Sequence, residues 1–223
     1  MGEAMFTICW SCKGGSGTSV VAAALAAVSA LTTPTILVDL AGDQPALLGL
    51  TTPEQGISEW MSNKMQLEFG DLLMKCGKNL SVAARGVELL PDHNSGDWNF
   101  LSRALSQIHD QAINIVVDAG ISPVSKTLWE VADTNYLIIR PCYLALRKAV
   151  EQNRSTTGVI LITGGDRVLT RRDVQSVLKT EVVAEIALDP EIARRVDSGL
   201  LHSRIPPALS AALSPLLTHL VSI

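Results

Sequence analysis

Short apolar runs alternate with longer stretches of helical periodicity along most of this chain, and that alternation sets the fold class. Met5-Phe6-Thr7-Ile8-Cys9-Trp10 is followed by a glycine-rich turn and then by residues 20–27, an alanine-rich stretch that reads as a buried helix. Residues 35–40, 113–118, 134–140, 159–163 and 181–188 are apolar runs of strand length. Helical patterns near 98–109, 144–153, 170–179, 190–198 and 207–221 fill the gaps. Residues 41–78 are less regular, with a helix predicted around 57–62, and 80–84 followed by 87–90 reads as a hairpin. Strands alternating with helices predict an α/β fold, a doubly wound, mostly parallel sheet of about seven or eight strands with helices on both faces. No repeat, low-complexity segment or long linker divides the chain, so one domain over residues 1–223 is expected.

The most informative turn lies between the first strand and the first helix. It reads Lys13-Gly14-Gly15-Ser16-Gly17-Thr18-Ser19. Glycines let the backbone curl so that successive N–H groups point inward, and the helix N-terminus adds partial positive charge. Strand, glycine turn and helix together predict a phosphate-binding loop. In the usual G-x-x-x-x-G-K-[ST] pattern a lysine follows the last glycine, whereas here that position is Thr18 and the loop's one ammonium group is Lys13. Two further strands end in carboxylates, Asp39 and Asp118. Ligands of open parallel sheets bind beyond the carboxyl ends of the strands, so all three features converge on one crevice. Ser19 stands where a hydroxyl would bind Mg²⁺, and Asp118 where an acid would hold the metal's water shell. The bland alternative for Asp39 is that it caps a helix.

Composition narrows the class without changing the fold. The 223 residues are 47% apolar but only 4% aromatic, which predicts an aliphatic core, and the net charge of −4 gives no general attraction to nucleic acid or anionic lipid. Met1-Gly2-Glu3-Ala4 lacks a basic leader pattern, Phe6 occupies the position a myristoylation signal reserves for Ser or Thr, and no apolar run reaches the roughly 20 residues a bilayer requires. A cytoplasmic protein is expected. Cys9 and Cys12 have C-x-x-C spacing, but Cys76 and Cys142 are isolated and the pair does not open a helix, so reduced thiols that fill space are the favoured reading. Arg171-Arg172 and Arg194-Arg195 are the basic doublets, each beside acidic residues, which argues against DNA as a partner. The tail after Arg204 carries no Lys or Arg and is interrupted by Pro215, which argues against direct membrane insertion.

The loop resembles the deviant Walker A motif, K-G-G-x-G-K-[ST], of the ParA/MinD superfamily of P-loop ATPases. The resemblance extends along nearly the whole chain, through Ile36-Leu37-Val38-Asp39-Leu40, the Walker B-like Ile115-Val116-Val117-Asp118-Ala119-Gly120, and the Asp189-Pro190 loop on the adenine side. Within the superfamily it is most similar to CpaE/TadZ-like branches attached to pilus assembly. The resemblance implies ATP and Mg²⁺ as cofactors, with Gly14, Gly15, Ser16 and Gly17 as the backbone cradle, Thr18 beside it, and Ser19 and Asp118 at the metal. It implies that Lys13 reaches a partner's nucleotide across a homodimer and that Asp39 is associated with the attacking water. Three positions depart from the pattern: Thr18 for the P-loop lysine, Ala41 for a second aspartate (Asp43 is near but off register), and Thr163 for an asparagine that helps read the base.

These features imply an ATP-binding, dimerising switch with slow hydrolysis, acting with an unidentified protein partner in intracellular positioning or assembly. The competing reading is a pseudo-ATPase scaffold of a pilus or secretion assembly. A metabolic ligase of the same superfamily lacks support, because no second catalytic constellation is visible. Arg140 ends a strand where it could contact nucleotide, a second subunit, or a carboxylate anchoring the next helix, and Arg147 is equally open.

Overall fold

The computed structural model describes residues 4–62, 67–121, 124–165 and 168–217. The strands are β1 (Phe6–Trp10), β2 (Thr35–Asp39), β3 (Leu73–Lys75), β4 (Leu80–Ala83), β5 (Asn114–Gly120), β6 (Thr134–Ile139), β7 (Gly158–Thr163) and β8 (Val182–Ala187). They form one eight-stranded sheet in the order β3-β4-β2-β5-β1-β6-β7-β8. Every pairing is parallel except β3 with β4. The helices are α1 (Thr18–Ser29), α2 (Gln44–Leu47), α3 (Ile57–Met61), α4 (Asp97–His109), α5 (Lys126–Val131), α6 (Tyr143–Gln152), α7 (Arg171–Leu178), α8 (Pro190–Asp197) and α9 (Pro207–Leu213).

Side-chain alternation along the central strands divides the core into two layers. Phe6, Ile8 and Trp10 of β1 join Ile36, Val38, Ile115 and Val117 on the face covered by α4, α5 and α6. Cys9, Leu37 and Val116 point to the opposite face, which is covered by α1 and α9. Helix α1 is buried on nearly all sides, and its alanines let it lie close to the sheet. Leu209, Leu213 and Leu216 of the tail pack into the same layer, so the described part of the 207–221 segment is held on the domain; α9 ends at Leu213, a 3₁₀ turn runs over Ser214–Leu217, and residues 218–221 lie outside the described residues. No helix among the described residues is long and apolar enough to cross a membrane.

The sequence-predicted hairpin is corrected. β4 pairs with β3, which precedes it, and not with residues 87–90. Val87 and Leu89 are largely exposed, whereas the amides of Val87 and Glu88 donate to the Glu59 carboxylate at 3.0 and 2.8 Å. Their alternation therefore serves a loop that wraps a buried acid. Helices α2 and α5 and strand β3 lie where no regular element was expected, each too short to show a period.

Candidate functional site

The loop after β1 is fixed by its own side chains and leaves its amides free. The Ser11 amide donates to Gly120 O at 2.8 Å, tying the loop to the end of β5. The hydroxyls of Ser11 and Ser16 both donate to Lys13 O, at 3.0 and 2.7 Å. Gly15 and Gly17 adopt left-handed backbone conformations, with φ of 74° and 94°. Gly17 is the N-cap of α1 and supplies no side-chain acceptor to the helix. Among the described residues, none of the amides from Gly14 to Ser19 donates to a protein acceptor. Unmatched N–H groups at the head of a helix are the chemistry an anion requires. They open onto a cleft of about 510 Å³ lined by Lys13 through Val20, Ala41, Asp43, Ala46, Leu47, Gly120 and Ile121.

Beneath the loop, three carboxylates and an amide form one network. Asp39 and Asp118 are register partners on β2 and β5, both fully buried. Asp39 accepts from the amides of Gly42 at 2.6 Å and Gln44 at 3.1 Å, so it holds the turn into α2, and it does not line the cleft. Burial, then the charge of Asp118, pushes its carboxyl up to about 7, against the pull of those two amides. Asp118 accepts from Gln44 Nε2 at 2.7 Å and from the Gly120 amide at 3.1 Å. Burial raises its carboxyl too, while Gln44 and Ser19 oppose the shift. Ser19 Oγ donates to Asp43 Oδ2 at 3.3 Å, which brings Asp43 to the cleft. A hydroxyl with carboxylates at the foot of a phosphate cradle suits Mg²⁺, which takes hard oxygen ligands and keeps much of its water. Ser19, Asp118 and Asp43 are the residues that would hold it.

A second pocket of about 230 Å³ adjoins the first through Gly17 and Val20. It is mainly apolar, lined by Val21, Ile162, Leu188, Ile192, Ala193, Val196 and Leu209, with Arg140, Asp189 and Asp197 as its charged members. Asp189 Oδ1 accepts from the Glu191 amide at 2.7 Å and caps α8, with Pro190 at the first helical position. Arg140 makes no ion pair among the described residues, and its Nε is buried without a partner. Of the readings left open for Arg140, the geometry favours a guanidinium facing a pocket over a helix-anchoring ion pair. A polar cradle beside an apolar pocket offers complementary surfaces for an anion and an apolar ring.

No protein-family model and no curated protein sequence matches the chain. Solved structures do. A ParA family ATPase from Chlorobium tepidum superposes with a TM-score of 0.75 at 18% identity, covering 98% of this chain and 100% of that one. MinD in the MinC:MinD cell division complex of Aquifex aeolicus gives 0.75 at 18%, covering 96% of each chain. The septum site-determining protein MinD of Pyrococcus horikoshii, solved with Mg-ADP, gives 0.73 at 17%, covering 97% of this chain and 96% of its own. The fold is that of the ParA/MinD ATPases. At this identity the likeness establishes architecture, and the site must be argued from its own residues.

On this ParA/MinD fold the loop and Ser19 line the first cleft and Asp189 the adjoining pocket, while Asp118, near the end of β5, is fully buried and lies outside both linings. Thr18, in place of the P-loop lysine, is 6% exposed and begins α1. Lys13 lines the cleft and is the ammonium group among its lining residues. Gln44 escaped the sequence analysis, in which Asp43 figured only as off register, because a four-residue helix carries no period and both roles depend on the approach of α2 to the loop. Other candidates fall away from the site. Arg147 Nε bonds Glu151 on its own helix at 2.7 Å, and Arg171 pairs with Glu185 and the Val182 carbonyl. Arg195 pairs with Glu191 at 3.8 Å. Cys9 and Cys12 lie in opposite core layers, and the Cys12 thiol donates to Ala145 O at 3.1 Å. The four tryptophans are structural. Trp98 is buried in the core, Trp60 packs on Phe69, and Trp10 meets Trp129 edge to face at 5.6 Å beneath Arg154.

Proposed function

We propose that this chain is a single nucleotide-binding domain that takes Mg-ATP and uses it to control self-association, as a switch in intracellular positioning or assembly. The reading is carried by one observation: a loop of unmatched amides at the head of α1, with an apolar pocket adjoining it at Gly17 and Val20. Triphosphate would lie along the loop and the base in the pocket beside Arg140, and Ser19, Asp118 and Asp43 would hold the metal that offsets its charge. Lys13, which lines the cleft, would be the ammonium group that meets the nucleotide of a second copy. Neighbours of the same fold were solved with Mg-ADP and, for a Borrelia burgdorferi plasmid partition protein, with AMPPNP, which supports this choice of ligand.

Hydrolysis is slow in this proposal for two physical reasons. No lysine follows Gly17 to stabilise charge developing on the β/γ oxygens. The carboxylate of Asp39, linked by resemblance to the attacking water, is already engaged by two amides. The same two facts favour a second reading, a scaffold of a pilus or secretion assembly that binds nucleotide without turnover. Size-exclusion chromatography with light scattering, run without nucleotide and with ADP or ATP, separates the two. A dimer seen only with ATP supports the switch; one unchanging mass across all three conditions supports the scaffold.

A further inference from the structure

Gln44 is fully buried and holds the phosphate loop and the Asp118 strand together with one amide group. Its Nε2 donates to Ser19 O at 2.9 Å and to Asp118 Oδ2 at 2.7 Å, so both amide hydrogens are committed. Its backbone amide donates to Asp39 Oδ2 at 3.1 Å. Its Oε1 is buried and accepts nothing. An unpaired buried oxygen is unfavourable, yet the alternative amide orientation is worse: it would place Oε1 against two acceptors, the Ser19 carbonyl and the Asp118 carboxylate. The orientation is thus forced by the groups it serves.

We propose that Gln44 is the positioning residue for the metal, acting through Asp118 and Ser19 and touching neither metal nor nucleotide. This rests on the Mg-ATP reading above. One Asp118 oxygen is held by Gln44 and the other by the Gly120 amide, which together fix the rotation of the carboxylate. The bond to Ser19 O fixes the spacing between that carboxylate and the residue whose hydroxyl would bind the cation. The amides of Gly14 to Thr18 do not depend on Gln44. The phosphate cradle and the metal contribution are therefore separable. Groups that orient metal ligands from outside typically govern metal affinity by roughly 10- to 100-fold.

The test is a titration of the full chain with a fluorescent ATP analogue, in EDTA and in Mg²⁺, for wild type, Gln44→Met and Gln44→Leu. Met keeps the volume and removes the donors, and thermal melts establish that at least one variant is folded. In wild type, affinity rises on adding Mg²⁺. In the variants that gain is expected to shrink by about tenfold or more, while affinity in EDTA stays within about twofold of wild type, as unchanged amides imply. A full Mg²⁺ gain in a folded variant overturns the inference, as does a parallel loss in EDTA and Mg²⁺, which would mark Gln44 as packing alone. Wild type that binds without any Mg²⁺ gain also overturns it. Wild type that binds no nucleotide in either condition overturns the Mg-ATP reading itself.

Discussion

Asp39 and Asp118 lie side by side across β2 and β5, two carboxylates with no exposed surface, joined through Gln44, whose backbone amide serves one and whose side chain serves the other. Two buried acids in register resist ionising together. The amides of Gly42, Gln44 and Gly120 and the Gln44 side chain offset part of that cost. A cation placed beside Asp118 would offset more.

The pH dependence follows with a definite sign. Asp39 is pushed from the ordinary 3.8 up to about 7, so the folded state holds its proton more tightly than the unfolded chain. Its contribution to stability is full below the ordinary value and declines as pH rises through about 7. Carbon-detected NMR should find a carboxyl titrating near neutrality in the wild type. Asp118→Asn removes the neighbouring charge and should move that titration down. A wild-type Asp39 that titrates like a surface carboxylate would refute the burial argument.

Restoring the missing cation tests the proposed cause of slow hydrolysis. Thr18→Lys places an ammonium group at the last residue before Ser19, and phosphate release should rise by roughly 10²- to 10³-fold, the usual weight of one preorganised electrostatic group. An unchanged rate would assign the deficit to the engaged Asp39.

Much of this site was legible in the sequence, for a physical reason. The loop, Ser19, Asp39 and Asp118 belong to strand ends and a glycine turn whose local chemistry is written in contiguous residues. The parallel sheet was legible for the same reason, since buried β1, β2, β5, β6 and β7 are mostly apolar. The role of Asp43, noted only as off register, and Gln44 altogether were hidden because their partners lie 24 and 74 residues away. The misread hairpin has a related cause: Val87 and Leu89 alternate like a strand, yet that segment is held by Glu59 and not by a neighbouring strand. Arg140 was left open because an ion pair and a pocket-facing guanidinium look identical in one dimension.

Gly17→Ala probes the cradle by conformation alone. At Gly17 φ is 94° and an added Cβ would meet only Ile162 Cγ1 at 3.8 Å, so space is not the obstacle. Forcing an L residue into that left-handed region should cost about 1–2 kcal/mol in denaturant unfolding and weaken nucleotide binding together. Normal binding and stability in this variant would show that the loop does not require its left-handed turn.

Glu59, which does not line the cleft, supplies a control. Its carboxylate is 5% exposed and accepts from the Gly56 amide at 2.7 Å, Ser58 Oγ at 3.1 Å, and the amides of Val87 and Glu88. Burial raises its carboxyl, but the hydrogen bonds outweigh it and leave the group below its ordinary value. Its contribution is present above the ordinary value and lost as pH falls, opposite in sign to that of Asp39. Glu59→Gln should lower stability by about 1–3 kcal/mol, because a donor replaces an acceptor facing amides, and leave nucleotide affinity unchanged. Loss of affinity at constant stability would tie this loop to the site.

The central claim is that the amides of the first turn, with one ammonium group and a divalent cation, hold a nucleoside triphosphate. Isothermal titration of the full chain with ATP, in Mg²⁺ and in EDTA, measures it directly. The expected result is saturable binding near one nucleotide per chain, tighter with Mg²⁺ than without. Absence of saturable binding in Mg²⁺, from a protein shown to be folded by its thermal transition, would contradict the account.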